Sequence, residues 1–150
     1  MPTAELLCVA ATGAFFMTGM VTGVWKYARI RGSADAQAPV YVDIAHRTSL
    51  MYAFSTLVLL EFVRLSPLPD LANLLAAGIP ILFFAAAIGS YVIHGWLGDT
   101  DNQLRRPHRL GTRTLPAPLI SGFMIALVIG EIGGFAVLLV AVLAKLAAAP

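Results

Sequence analysis

Charge is what this sequence has least of. Asp, Glu, Lys and Arg together make up 12% of its 150 residues, about half the share of roughly a quarter found in soluble domains. A chain so poor in charge cannot cover a water-facing surface, which excludes an ordinary soluble globular protein. The formal net charge of +2 is too small to point to nucleic acid, and no basic tract interleaved with aromatics occurs. Cysteine is nearly missing as well. The single Cys8 lies in an apolar run with no partner in the chain, which excludes a disulfide scaffold and leaves almost no room for a cysteine-based metal site. Residues 1–5 carry none of the positive charge of a cleavable signal, and the apolar run that follows is long enough to span a bilayer, so it reads as a membrane helix.

Apolar residues, by contrast, are plentiful, at 59% of the chain. They gather into four stretches, residues 6–27, 44–63, 71–95 and 117–147. Each reaches the ~20 residues a helix needs to cross the hydrocarbon, whereas spanning strands would be about half as long and would alternate. The expected fold is therefore all-α, an integral membrane four-helix bundle forming one domain over residues 1–150. Turn formers mark the breaks: Gly32, Ser33 and Pro39, then Pro67 and Pro69, then Pro107, Pro116 and Pro118. The short second loop makes helices two and three antiparallel neighbours. Of the 10 cationic residues, Lys26, Arg29, Arg31, Arg47, Arg105, Arg106, Arg109 and Arg113 lie in or beside loops one and three, leaving only Arg64 and Lys145 for the other side. That bias places loops one and three in the cytoplasm and both termini outside, in a bacterial-type inner membrane. Trp25, Tyr27, Tyr41 and Trp96 fall near the same inner boundary, as an aromatic belt does.

Polar groups inside such helices carry the functional signal, because placing them in lipid is costly. His46 and Arg47 open the second helix, and Tyr91 and His94 close the third on one shared face. Asp43, Asp99 and Asp101 border the same inner region. Three readings fit this cluster: interfacial side chains that snorkel, a metal site built from Asp43, His46, His94 and a third-loop Asp, or a haem held by a neutral imidazole with Arg47 near its propionates. Glu131 falls in the middle of the fourth helix, either as a functional carboxylate or as a protonated group bonded to a neighbouring helix. Gly19 and Gly23 form a small-xxx-small pair of the helix-packing kind. His108, in a loop rich in Pro and Arg, reads as solvated, and Met17, Met20, Met51 and Met124 read as packing residues, not as copper ligands.

Ala45-His46, after a long first helix and a loop, resembles the Ala-His motif that opens helix two of styrene oxide isomerases, to which hydroxylaminobenzene mutases are distantly similar. Gly89-Ser90-Tyr91 resembles the Gly-x-Tyr of their third helix, at a similar distance downstream, and chain length and helix count agree. The resemblance implies a haem b whose axial ligand is His46, with ferric iron acting as a Lewis acid on an epoxide-like or other small lipophilic substrate, and a homotrimer with the haem near subunit interfaces. It places Tyr91 on the substrate side. The family carries an Asn six residues after the histidine, where this sequence has Tyr52, and His94 and residues 98–103 have no counterpart in it. Tyr52 and Tyr91 are then the candidate groups at the open iron face, His46 the metal ligand, and Arg47 and His94 the further cofactor-binding candidates. Two competing expectations are a bis-histidine membrane cytochrome, with His46 and His94 both on iron, and a cofactor-free structural or transport bundle using Glu131 and Arg47.

Overall fold

A computed structural model describes residues 1–148. Four long helices make up the chain: α1 (Thr3–Arg31), α2 (Val40–Leu65), α3 (Asp70–Leu97) and α4 (Ala117–Ala147). All four are long and apolar enough to cross a membrane. Each begins on the residue after a proline, namely Pro2, Pro39, Pro69 and Pro116. The pyrrolidine ring fixes φ for the entry into the helix, and the amide hydrogen it lacks would have had no intrahelical acceptor there. The helices run past the apolar stretches at their polar ends. Arg29 and Arg31 lie in the last turn of α1, where cations complement the negative end of the helix dipole.

One face of each helix turns inward. On α1 the buried positions are Ala4, Cys8, Ala11, Phe15, Gly19 and Thr22, spaced three or four apart as one helical stripe requires. On α2 the stripe includes Ala45, Ser49, Ala53 and Thr56, and such small side chains let α1 and α2 come close along their length. Five hydroxyls on α1 and α2 do not wait for water. Thr18, Thr22, Ser49, Ser55 and Thr56 each donate to the carbonyl of the residue four before, which satisfies them inside an apolar medium.

The fourth helix is peripheral, with only Leu138 and Val142 buried. It docks on α3 through Gly130 and Gly134, where an added Cβ would fall 2.5 Å from the Phe83 ring and 2.6 Å from the Ala76 carbonyl. That carbonyl is special: Pro80 stands in α3 four residues later and offers it no hydrogen.

The two ends of the bundle differ. At one end Asp70 accepts hydrogen bonds from the Thr3 and Ala4 amides at 3.0 Å, Arg64 reaches Glu5 at 3.3 Å, and Lys145 donates to the Leu65 carbonyl. The N-terminus, the second loop and the end of α4 thus meet there. Loops one and three meet at the other end, where the Gln103 amide donates to the Tyr41 hydroxyl. The third loop carries a small antiparallel ladder, β1 (Arg109–Leu110) with β2 (Arg113–Thr114). Gly111 turns it at a φ of 60° and Gly98 ends α3 at the same φ, a left-handed conformation that favours glycine at both places.

Candidate functional site

His46 sits on the seam between α1 and α2, with its Nδ1 2.8 Å from the Gly19 carbonyl oxygen. The sequence makes this approach possible through a missing side chain: a Cβ on Gly23 would lie 2.9 Å from the His46 ring. Within the small-xxx-small pair Gly23 is therefore more than a packing residue, since it seats the imidazole. A carbonyl oxygen can only accept, so Nδ1 carries the hydrogen and neutral His46 keeps its lone pair on Nε2. Nε2 makes no hydrogen bond among the described residues. The ring is half-buried, with Leu50, one turn further along α2, packed where a Cβ on Gly19 would be.

The rim beside His46 is cationic. Asp43, one turn earlier on α2, is paired both with Lys26 of α1 and, at 3.0 Å, with Arg47. Two cations share one carboxylate, and the Arg47 side chain is 66% exposed. This pairing also removes Asp43 from the metal-site reading. Among the described residues no group of three or more His, Cys, Asp or Glu side chains converges as a metal site.

The second histidine belongs to a different neighbourhood. His94 is 6% exposed. Its Nδ1 meets Asp99 at 2.8 Å, and the other oxygen of Asp99 accepts from the Gly111 amide. Asp99 therefore ties the end of α3 to the turn of the β1–β2 ladder. Burial pushes the Asp99 carboxyl up, but the His94 and Gly111 hydrogen bonds outweigh it and hold the group below the usual carboxylate range. The Tyr41 ring lies 5.1 Å from His94 and 5.9 Å from Tyr91. Tyr41 is consequently buried and not part of an aromatic belt, while Tyr27 and Trp96 are exposed. His108 also departs from the expectation of a solvated loop residue. It is buried, with Nδ1 3.2 Å from the Gln103 carbonyl.

The tyrosines of the resemblance do not join His46 within one chain. Six residues along a helix amount to about 120° of rotation and roughly 9 Å of rise, so Tyr52 leaves α2 in another direction. It stacks on Phe84 of α3 with ring centroids 4.1 Å apart, and Tyr91 stacks on Tyr41. His46 lies against α1 and His94 against Tyr41 and the third loop, so the two histidines face different partners. Glu131 lies on the inward stripe of α4 beside a cavity shared with Ser55, Pro80 and Phe84. Its Oε1 is buried without a hydrogen-bond partner among the described residues, so the bond to a neighbouring helix is not made there. Met17, Met20 and Met51 face outward, not into the bundle.

No protein-family model, curated protein or solved structure matches this chain. Its function therefore rests on the residues themselves.

Proposed function

We propose that the chain is a haem b-binding integral membrane isomerase of the styrene oxide isomerase type, with His46 Nε2 as the only protein ligand to iron. The observation that carries this reading is the 2.8 Å contact of His46 Nδ1 with the Gly19 carbonyl. Metal-ligating histidines donate their other ring N–H to such an acceptor, which fixes tautomer and ring orientation and raises ligand basicity. Arg47 and Lys26, sharing one carboxylate at the rim, suit the two propionates. A bound ferric haem would supply a Lewis acid for a substrate oxygen, with no net electron transfer.

The remaining roles belong to the chain. Large apolar side chains exposed on α1 and α2, among them Phe16, Met20, Met51 and Phe54, provide surroundings for a small lipophilic substrate. Tyr52 and Tyr91 would be the hydroxyl donors, and since each packs away from His46 within its own chain, a haem held between copies is what would bring them to a substrate. That division of labour is where the homotrimer enters the proposal. His94 stays with Asp99 and would not be a ligand to the iron. The ferric spectrum of the detergent-purified protein tests the reading: a Soret band of high-spin type supports it, and protein purified without any Soret band contradicts it.

The same proposal puts the protein in a bacterial-type inner membrane with loops one and three in the cytoplasm, on the strength of the cationic bias. Cysteine introduced at Ser33 or Thr112 is expected to stay unlabelled by an impermeant thiol reagent in intact cells and to react after lysis. Labelling from outside reverses the orientation. The native Cys8 is buried and gives little background.

A further inference from the structure

A second chemical site lies away from His46, in a cavity of about 450 Å³ between α3, the third loop and the start of α4. Its walls are largely apolar, with Leu104, Leu115, Ile120 and Phe123 among them, and five polar side chains line it: Ser90, His94, Gln103, His108 and Arg109. Few polar groups converging in an apolar cavity is the usual build of a small-molecule site.

The hydrogen-bond arrangement specifies the ligand. His94 gives its Nδ1–H to the Asp99 carboxylate, and His108 gives its Nδ1–H to the Gln103 carbonyl. In the neutral form each ring is left with Nε2, a lone pair and no hydrogen. Ser90 spends its hydrogen on Gln103 Oε1 at 2.6 Å, leaving its own lone pairs. The donors among the lining side chains are the Gln103 amide NH2 and the Arg109 guanidinium. An ether could accept from those donors but would leave the imidazole lone pairs unmet, whereas a hydroxyl can donate to one of them and accept as well. Gly89 also lines the cavity, and a Cβ there would meet nothing within 4 Å. No packing constraint requires the absence of a side chain at Gly89, and the open volume beside it is part of the cavity.

We infer that this cavity binds a small apolar molecule bearing a hydroxyl donor, of the phenol or alkyl-alcohol class, with the Asp99-oriented imidazole of His94 as its acceptor. The inference is independent of haem at His46 and uses none of the groups assigned to it.

Equilibrium dialysis of the protein in nanodiscs against para-hexylphenol and its methyl ether tests this, with empty nanodiscs subtracted. The phenol is expected to bind saturably and about tenfold tighter than the ether, the effect of one hydrogen bond in a dry site. His94→Phe is expected to bring the two ligands to within about threefold of each other. Gly89→Leu, whose side chain grows into open space, is expected to keep the fold, checked by its thermal transition, and to weaken both ligands by about tenfold or more. Equal affinities for phenol and ether in the wild type, a phenol preference that survives His94→Phe, or binding unaffected by Gly89→Leu overturns the inference. Should His94→Phe fail to fold, the ligand pair on the wild type and the Gly89→Leu result decide the matter.

Discussion

Protein purified as His46→Gly is expected to lose haem by about tenfold or more, since even residues that only orient a metal ligand contribute 10–100-fold to metal affinity. Imidazole added during growth or reconstitution is expected to restore it. Gly23 leaves the surface of α1 bare where the ring lies, so removing the imidazole opens a space of its own shape beside the Gly19 carbonyl. A free imidazole entering that space can donate one N–H to the same carbonyl and present its other nitrogen outward, as His46 does at 2.8 Å. Arg47 and Lys26 remain to hold the propionates. Haem content measured per chain, with and without imidazole, checks the prediction. Undiminished haem in His46→Gly removes His46 as the ligand.

The second large effect concerns the attachment of α4. Gly134→Leu is expected to destabilise the bundle by about 1–3 kcal/mol, the usual cost of forcing volume into a packed contact. The contact is unforgiving because its wall is backbone and ring: a Cβ at this position would meet the Ala76 carbonyl at 2.6 Å and the Pro80 ring at 2.7 Å. Neither can swing away as a flexible side chain does. Pro80 withholds the hydrogen that would normally cover that carbonyl, so the approach of Gly134 also shields an exposed backbone group in an apolar setting. Gly133 is the internal control. A Cβ there meets nothing within 4 Å, and Gly133→Leu is expected to be neutral or slightly stabilising because leucine is the better helix former. Thermal unfolding of both variants in the same detergent separates the close contact from a general effect of losing glycine. Equal stability of the two would contradict the docking described for α4.

Hydropathy made the helices legible because lipid imposes a length, and prolines marked their starts because the chain enters each helix directly from one. It gave little about direction around each helix. A segment apolar on all sides carries no stripe of contrast, so the pattern could not say that His46 turns to α1 while Tyr52 turns to α3. The only azimuthal signals are small residues: Gly23 lies under the imidazole and Gly19 under Leu50. The second role of Gly23 was hidden because a packing glycine and a glycine that admits a ring look the same in sequence. The end that holds loops one and three departs from expectation for a different reason. Tyr41 and His108 stand at a membrane boundary, where exposure is the ordinary expectation, yet the third loop folds back over them through the Gln103 amide and carbonyl. That fold depends on Gly98, Gly111 and the Asp99 bridge, contacts across several residues that no local periodicity announces.

The ferric spectrum of the wild type beside His94→Ala tests the central claim most directly. With His46 as the only protein ligand, the wild type is expected to be mainly high-spin. His94→Ala is expected to leave that spectrum and the haem content unchanged, since His94 is engaged with Asp99 and Tyr41. A low-spin wild type that becomes high-spin on His94→Ala would show two histidines on one iron and would contradict the account.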